Sequence, residues 1–303
     1  MTSPTTPTAA PTTARLLPGG PVAEAVFADV ATRVAALRRA GIVPSLATVL
    51  VGDDPASAGY IRMKQQRAAE LGFASPHVHL DAGAGQAELR DAIARLNADP
   101  AVHALLVQHP TPPGIDYAEA LLDVDPDKDV DGLHPLNLGR LAAGLPGPVP
   151  CTPAGIEALL AHYEIPVAGR DVVVLGRGTT LGRPLALLLG QKRPTADAAV
   201  TVVHSDVPGW ERHTRRADIV VAAAGVPGIV RPEHLRPGAV AIGGGVRYEG
   251  RRLLPDLDES CAEVAGAITP RVGGVGPTTV AMLFRNAVEL AERAAARRHP
   301  GPA

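Results

Sequence analysis

The sequence is poor in aromatic residues, has two cysteines and carries almost no net charge, and each scarcity excludes a class of protein. Phe, Trp and Tyr make up 3% of the 303 residues, too few rings for a platform that stacks single-stranded nucleic acid. The formal net charge of −2 provides no electrostatic footprint for nucleic acid or for an acidic membrane. Cys151 and Cys261 lie far apart and match no metal-binding or redox spacing.

Long apolar runs are also missing, since none reaches the roughly 18–20 residues that a membrane helix needs. The Thr- and Pro-rich start lacks the basic and apolar regions of a signal peptide, and it predicts a disordered tail over residues 1–14, with a second tail over residues 299–303. We therefore expect a cytoplasmic protein. With 46% hydrophobic residues, the chain is globular and long enough for two domains.

Helical and strand patterns alternate from about residue 21, which predicts an α/β fold. In the first half, helices are expected at Pro21–Ala40, 55–72 and Gln86–Asn97, and strands at Ser45–Val51, His77–Leu80 and Val102–Val107. This order implies a parallel sheet covered by helices. The Pro- and Gly-rich stretch 144–150 predicts a boundary, so residues 15–150 are expected to form an N-terminal α/β catalytic domain.

A second α/β domain is expected over residues 151–276. It would begin with a helix at Thr152–Tyr163, capped by Thr152, and contain strands at Asp171–Leu175, Val200–His204, Asp218–Ala223 and Ala239–Ile242. A long helix over residues 277–298 would return to the first domain.

Lys64 interrupts the apolar face of the predicted helix 55–72, where Ile61 and Ala68 are its neighbours and Tyr60 lies one turn earlier. A buried ammonium must reach solvent, pair with another group or have a lowered pKa, and the last case produces acid–base catalysts. Taken alone, a lysine that reaches solvent is the commoner case. However, Lys64 and Gln108 both follow strand ends, where parallel sheets bind ligands, so they are candidates for one cleft.

The segment Gly176-Arg177-Gly178, with Gly182, follows an apolar strand and opens a predicted helix. Such glycines let the backbone approach a pyrophosphate, which predicts a dinucleotide site, although the spacing is one residue longer than the standard fingerprint. Arg177 is suited to the 2′-phosphate of NADP. Asp206, just beyond Ser205, is the residue type that binds the 2′-hydroxyl of NAD. NADP is therefore favoured over NAD.

Several motifs, in order and spacing, carry a resemblance over about Arg15 to Arg293. They are Asp53–Lys64, Val107–Pro112, Asp127–Leu141, Pro150–Gly155, the glycine loop and Thr269–Val280. With them the chain resembles the bifunctional methylenetetrahydrofolate dehydrogenase/methenyltetrahydrofolate cyclohydrolase family. The resemblance implies a folate-binding catalytic domain and a Rossmann-type NADP-binding domain. It also implies a homodimer that acts on tetrahydrofolate derivatives in one-carbon metabolism and purine biosynthesis.

The resemblance also assigns roles to individual residues. Lys64 would be the catalytic lysine, Gln108 the partner that orients it, Tyr60 a ring that stacks on the folate, and Asp131 a hydrogen-bond acceptor for the pterin. The other matched positions are Gly274 and Pro277 at the folate pocket, and Gly176, Arg177, Gly178, Ser205 and Val246 at the cofactor. Taken singly, these residues have ordinary structural explanations. His109, His134 and the acidic run Asp125, Asp127 and Asp129 show no metal-ligand spacing, so no metal is implied and these groups are expected to be solvated or capping.

The chain departs from the family pattern mainly around the cofactor. Gly243-Gly244-Gly245 stands where the family has Asp-Val-Gly, and we expect the added backbone entropy to loosen this loop. Val272 replaces a proline, and His-Pro-Thr-Pro follows Gln108 where Leu-Pro-Leu-Pro is common. These changes suggest altered cofactor preference in a specialised copy of a housekeeping enzyme.

Three alternative functions remain open from the sequence. The chain could be a cyclohydrolase or folate-binding protein without redox activity, and the Gly243–Gly245 run favours this. It could be a nicotinamide-dependent dehydrogenase of another small molecule, which leaves Tyr60, Lys64, Gln108 and Asp131 without a shared role. A pure interaction module has least support.

Overall fold

The computed structural model describes residues 14–250 and 252–298, so the predicted tails over residues 1–14 and 299–303 lie outside the described residues except for Ala14. Two compact units divide the described chain. Residues 20–155 and 277–298 form what we call the first unit, and residues 14–19 and 156–276 form the second unit. Within the described ranges, no helix combines the length and apolar character needed to span a bilayer.

The α-helices include the predicted ones and three short helices that the sequence pattern did not indicate, at Tyr117–Asp123, Pro135–Ala142 and Glu211–Thr214. They are α1 (Gly19–Arg39), α2 (Pro55–Leu71), α3 (Gln86–Ala98), α4 (Tyr117–Asp123), α5 (Pro135–Ala142), α6 (Cys151–His162), α7 (Gly182–Leu189), α8 (Glu211–Thr214) and α9 (Val275–Arg298).

The strands include several that the sequence pattern did not predict. They are β1 (Arg15–Leu16), β2 (Leu46–Val51), β3 (His77–Leu80), β4 (Ala104–Val107), β5 (Asp171–Leu175), β6 (Ala199–Val203), β7 (Ile219–Ala222), β8 (Val240–Gly243), β9 (Val246–Glu249), β10 (Arg252–Pro255) and β11 (Ala267–Ile268).

The first unit contains a parallel three-stranded sheet in the order β3-β2-β4. Val49 of β2 pairs with Val78 on one side and Val107 on the other. Every residue of β2 is buried, which explains its uninterrupted apolar sequence, because a central parallel strand is covered on both faces. The predicted parallel sheet is confirmed.

Helix α2 begins and ends on the residues that the sequence indicates. The Asp54 carboxylate accepts a hydrogen bond from the Ser57 backbone N–H at 2.7 Å, Pro55 occupies the first turn, and Gly72 ends the helix with a φ of 82°. Ile61 and Ala68 are buried. The helix therefore presents one apolar face to the sheet, and this face carries Lys64.

The C-terminal helix α9 belongs to the first unit from Pro277 onward. Phe284 is fully buried and packs edge-on against Phe27 and Phe73, with ring centroids 6.1 Å and 5.5 Å away. The Asn286 side-chain amide donates to the carbonyl oxygens of Val130 (2.8 Å) and Val149 (2.9 Å). The predicted return of this helix to the first domain is confirmed.

The second unit is built on a parallel six-stranded sheet in the order β1-β11-β8-β7-β5-β6. Its register aligns the carboxyl ends of the central strands, since Leu175 pairs with both Ala222 and Val203, and Ala222 pairs with Gly243. This is the predicted Rossmann-type sheet. Arg15 and Leu16, which we expected in the first domain, extend it as an edge strand.

The observed boundaries differ from the sequence pattern in two further places. Helix α6 begins at Cys151, so Thr152 lies inside the helix and does not cap it, because the Pro150 carbonyl already accepts the hydrogen bond from Ala154 N–H (3.0 Å). Strands β9 and β10 form an antiparallel hairpin that the periodicity did not indicate.

Gly132 offers a test of the close packing within the first unit. Its φ is +70°, and a Cβ there would lie 2.6 Å from the Val149 carbonyl carbon, whereas Gly144 has a φ of +68° and open space around it. We expect Gly144→Ala to reduce the free energy of unfolding by about 1–2 kcal/mol, from backbone strain alone. Gly132→Ala should cost roughly 1–3 kcal/mol more, from the added overlap. Urea titration followed by circular dichroism measures both, and equal losses would show that the contact with Val149 relaxes freely.

Candidate active site

Lys64 and Gln108 meet in the first unit through a direct hydrogen bond. Lys64 Nζ donates to Gln108 Oε1 at 2.9 Å. Gln108 is buried immediately after β4, where its backbone N–H donates to the Val49 carbonyl at 2.8 Å. Its Nε2 donates to the His109 carbonyl at 2.6 Å. Because the amide nitrogen is bound to its own loop, the amide oxygen faces the lysine.

The acidic run reaches the site because its backbone follows β4. Leu105 N–H donates to the Lys128 carbonyl at 2.7 Å, and Leu105 bridges to Asp129 in parallel. The buried Asp129 carboxylate accepts hydrogen bonds from Gly132 N–H (3.0 Å), His134 N–H (2.8 Å) and Asn137 Nδ2 (2.9 Å). Asp129 therefore caps this turn, as expected, but it is buried and not solvated.

This capped turn places Asp131 beside Cys151, to which the sequence assigned no role. Cys151 Sγ lies 3.7 Å from Asp131 Oδ1 and 3.6 Å from the Val130 carbonyl oxygen. Tertiary contacts bring these neighbours to Cys151. The Asn286 side-chain amide donates to the carbonyl oxygens of Val130 and Val149 and so holds together the two backbone segments that contain them. Only the position of Cys151 within the Pro150–Gly155 motif could have pointed to it. In the described part of the chain, no group of three His, Cys, Asp or Glu side chains is arranged to hold a metal ion.

Burial sets the protonation of these groups. Desolvation lowers the pKa of Lys64, while the nearby Asp131 carboxylate and Cys151 act in the opposite direction. Desolvation raises the pKa of Asp131 to about 6, against the opposing charge of Lys64. Burial also raises the pKa of the Cys151 thiol and of the Tyr117 hydroxyl. A lysine whose pKa is lowered by burial and whose charge is coupled to that of a buried carboxylate is suited to acid–base catalysis.

Tyr60, Gly274 and Pro277, which are expected to contact a folate, differ in how exposed they are. Tyr60 lies one helical turn before Lys64 and is 43% exposed, so its ring is accessible for stacking. Gly274 is buried in the second unit, where a Cβ would lie 2.6 Å from the Pro270 carbonyl oxygen. Pro277 is half-buried in the first turn of α9. Their contact with a folate stays a prediction.

In the second unit, the glycine loop between β5 and α7 has the shape of a phosphate cradle. Gly176 has a φ of +136°, and a Cβ there would overlap the Ala223 carbonyl, while a Cβ at Gly182 would lie 2.7 Å from the Gly176 carbonyl carbon. Gly178 faces open space, with nothing within 4 Å of a Cβ position. The loop therefore packs tightly against neighbouring backbone at Gly176 and Gly182 and is open at Gly178. The open space lies at the N-terminus of α7, which fits the pyrophosphate of a dinucleotide.

Three further predicted cofactor residues lie beyond the ends of the strands of this sheet. Arg177 Nη2 pairs with Asp206 Oδ2 at 2.8 Å, and Ser205 Oγ donates to Asp206 Oδ1 at 3.2 Å. The side chains of Arg177, Ser205 and Asp206 are exposed, as is Val246 at the start of β9. The basic and acidic candidates for ribose recognition are therefore engaged with each other.

The Gly243–Gly245 run is held by hydrogen bonds, in contrast to the looseness expected from backbone entropy alone. Gly243 N–H donates to Thr269 Oγ1 at 2.8 Å. The N–H groups of Gly244 and Gly245 both donate to the Ala222 carbonyl, at 2.9 Å and 2.8 Å. The run thus fastens the end of β8 to the end of β7.

The electrostatic coupling between Lys64 and Asp131 can be measured directly. The chain contains three lysines, Lys64, Lys128 and Lys192, so NMR titration of protein labelled with [¹³C]lysine resolves each one. We expect Asp131→Asn to lower the pKa of Lys64 further, because the carboxylate charge that favours the ammonium is removed. Asp127→Asn is the matched control, since Asp127 pairs with Arg140 and Arg297. An unchanged Lys64 pKa in Asp131→Asn would refute the coupling.

Two family models together match most of the chain. Residues 17–131 match the catalytic domain of tetrahydrofolate dehydrogenase/cyclohydrolase, and residues 150–295 match the NAD(P)-binding domain of the same family. Bifunctional protein FolD 1 of Salinispora tropica is 71% identical over 287 residues, covering 95% of this chain and 94% of the relative. Bifunctional protein FolD of Syntrophotalea carbinolica is 57% identical over 284 residues, covering 94% of this chain and 98% of the relative.

Solved structures share the whole fold. The bifunctional methylenetetrahydrofolate dehydrogenase/cyclohydrolase FolD of Campylobacter jejuni superposes with a TM-score of 0.87 at 37% identity, over 92% of this chain and 98% of that one. The Trypanosoma brucei enzyme, solved with NADP cofactor and an inhibitor, gives 0.86 at 39% identity, over 93% of this chain and 98% of that one. The resemblance seen in the sequence motifs is thereby confirmed, and this chain belongs to the tetrahydrofolate dehydrogenase/cyclohydrolase family.

Proposed function

We propose that this chain oxidises 5,10-methylenetetrahydrofolate with NADP and then hydrolyses the 5,10-methenyl product to 10-formyltetrahydrofolate. The observation that carries the proposal is the hydrogen bond between Lys64 and Gln108 in the same unit as Asp131. The relatives in Salinispora tropica and Syntrophotalea carbinolica are named as bifunctional proteins, and the Trypanosoma brucei structure contains NADP. The glycine cradle of the second unit supports the cofactor assignment.

In the hydrolysis, Lys64 is the proton carrier. Water adds to the methenyl carbon, forming a C–O bond and losing a proton to the Lys64 amine. The bond from that carbon to N5 then breaks as N5 receives a proton and the hydroxyl proton is lost, leaving the formyl group on N10 and releasing one proton overall. Burial lowers the pKa of Lys64, which increases the share of the neutral amine that this step requires. Gln108 fixes Nζ through its amide oxygen without adding a charge.

Binding of the folate is assigned to Tyr60 and Asp131, and Gly274 and Pro277 are assigned to it from the family resemblance. The ionised Asp131 carboxylate accepts hydrogen bonds from the pterin amino group and ring N–H, which it can do above a pH of about 6. The exposed Tyr60 ring offers a stacking surface.

For the oxidation, NADP when bound supplies the acceptor for the hydride that leaves the methylene carbon. Gly176 and Gly178 would admit its pyrophosphate, and Arg177 would pair with the 2′-phosphate once released from Asp206. Ser205 and Val246 are the other residues that we assign to the cofactor. The protein's contribution to this step is binding and orientation, because the nicotinamide carries the redox chemistry.

We extend the proposal to a cytoplasmic homodimer whose product serves as a formyl donor, with purine biosynthesis as the destination. The homodimer and the destination of the product rest on the family resemblance, and the cytoplasmic location rests on the sequence composition. We also propose domain limits at residues 15–150 and 151–276, followed by the returning helix 277–298, except that residues 15–19 belong to the second unit.

The overall proposal is tested by mixing the purified protein with 5,10-methylenetetrahydrofolate and either NADP or NAD, and by following reduced cofactor and methenyl-folate absorbance together. NADP-dependent reduction is expected. If neither cofactor is reduced but added methenyltetrahydrofolate is hydrolysed above the buffer rate, the protein is a cyclohydrolase without the redox half. Failure of both reactions would refute the proposed function.

Lys64→Met tests the catalytic assignment. Since general acid–base groups contribute about 10²–10⁴-fold, the cyclohydrolase rate should fall by at least about 100-fold. NADP affinity, measured by calorimetry, should not change, because Lys64 lies in the first unit and the glycine loop in the second. Lys192→Met, at an exposed lysine of the second unit, is the matched control and should keep full activity. A fully active Lys64→Met protein would overturn the assignment.

The Arg177–Asp206 pair predicts how cofactor choice can be shifted. Arg177→Ala should weaken NADP binding by roughly 10–100-fold, the value of a lost hydrogen bond to a charged group, and leave NAD affinity nearly unchanged. Asp206→Asn should strengthen NADP binding, because it frees Arg177 and removes a like charge beside the 2′-phosphate. Dissociation constants for both cofactors decide the matter, and parallel changes for NAD and NADP would contradict the assignment.

A further inference from the structure

We propose that Asp256 is a positioning residue for the cofactor loops of the second unit, and that Gly245 is required to make room for its carboxylate. The inference rests on the proposed use of NADP. It concerns a residue outside the set matched by the sequence motifs, just after the unpredicted β9–β10 hairpin.

Asp256 is a fully buried acid with specific partners. Its Oδ2 accepts hydrogen bonds from the backbone N–H groups of Ala224 (2.7 Å) and Gly225 (2.9 Å). Burial raises the pKa of this carboxyl, and these backbone donors act in the opposite direction. A buried carboxylate is tolerated only where such donors replace water, so Asp256 and this loop stabilise each other.

The backbone of Asp256 makes hydrogen bonds to two other segments of the chain. Its N–H donates to the Gly245 carbonyl at 3.1 Å, and its carbonyl accepts from Val230 N–H at 3.1 Å. The loop after β7, the loop after β8 and the end of the hairpin therefore converge on one residue. All of them lie beyond the carboxyl ends of parallel strands, where Rossmann-type sheets bind dinucleotides.

The loop that Asp256 holds is also the floor beneath the phosphate cradle. Gly176 approaches the Ala223 carbonyl so closely that a Cβ would overlap it. Ala223 N–H in turn donates to the Leu175 carbonyl, at the residue before Gly176 (2.8 Å). A shift of residues 223–225 would therefore move the surface on which Gly176 rests, and with it the geometry offered to a pyrophosphate.

Gly245 carries a steric requirement that its neighbour Gly243 lacks. The three atoms nearest to a Cβ at position 245 all belong to Asp256, with Cγ at 2.6 Å and overlap with Oδ2. A Cβ at Gly243 would meet its nearest neighbours only at 3.5 Å, an ordinary contact. Neither glycine has a strained φ, so the two positions differ in space and not in backbone conformation.

The experiment compares Asp256→Ala, Asp256→Asn, Gly245→Ala and the matched control Gly243→Ala. The readouts are the NADP dissociation constant by calorimetry, the cyclohydrolase rate without NADP, and KM and kcat for NADP. We expect Asp256→Ala and Gly245→Ala to weaken NADP binding by about tenfold or more, since each leaves two backbone donors unpaired or displaced. Both should raise KM more than they lower kcat and keep the cyclohydrolase rate. Gly243→Ala should stay within about twofold of the parent, because nothing near it must move.

Asp256→Asn and one further variant, the double substitution Gly245→Ala/Asp256→Ala, separate positioning from a general loss of stability. Within the described residues, Asp256 Oδ1 has no hydrogen-bond partner. Asn can therefore place its oxygen at the Oδ2 position without displacing a donor, and Asp256→Asn should retain most of the NADP affinity. The double variant Gly245→Ala/Asp256→Ala should bind NADP no more weakly than Asp256→Ala alone, because the atoms that the new Cβ would strike are gone.

The inference is overturned if Asp256→Ala binds NADP like the parent protein, or if NADP binding and cyclohydrolase activity fall in parallel. Additive losses in the double variant would also overturn it. A parent protein that binds no NADP would instead refute the proposed function, and the inference with it, so the two failures are distinguishable.

Discussion

The hydrogen bond from Lys64 to Gln108 is the interaction on which the catalytic half of the molecule depends. An amine taken out of water requires an acceptor, and the choice of acceptor determines its charge. A carboxylate at position 108 would favour the ammonium and raise its pKa, whereas an amide oxygen satisfies the amine without doing so. The second amide hydrogen bond, from Gln108 to the His109 carbonyl, keeps that oxygen turned toward the lysine.

Asp131 acts against the lowering of the Lys64 pKa. Its charge favours the protonated lysine, while its own burial raises its pKa to about 6, so the protonation of each group depends on that of the other. Much of the surrounding polar structure serves to hold this carboxylate in place. The Asp129 carboxylate holds the turn that follows it, and the Asn286 amide holds the backbone at Val130, the residue before Asp131.

The candidate cofactor site of the second unit is organised differently from the site around Lys64. Its cofactor site has little buried side-chain chemistry and is shaped by close approaches of backbone, as at Gly176 and Gly245. Here a side chain contributes mainly by holding loops together, and Asp256 is the clearest case. The glycine run that departs from the family pattern is thus part of a hydrogen-bonded junction, despite its lack of side chains.

The sequence by itself determined the helix that carries Lys64, the parallel strands on either side of it and the glycine loop. These features depend on local rules, namely apolar periodicity, caps such as Asp54 and Gly72, and a glycine pattern after a buried strand. The two-residue strands β1 and β11 escaped prediction because they are too short to show a periodicity. The β9–β10 hairpin escaped it because charged residues interrupt its strands, so that they show no apolar run. Motif resemblance placed Gln108 and Asp131 in the site, but it gave no contact between them. The proximity of Cys151 to Asp131, the burial of Asp129 and the role of Asp256 were decided only by the tertiary structure, because each depends on backbone segments that are distant in sequence and brought together by packing.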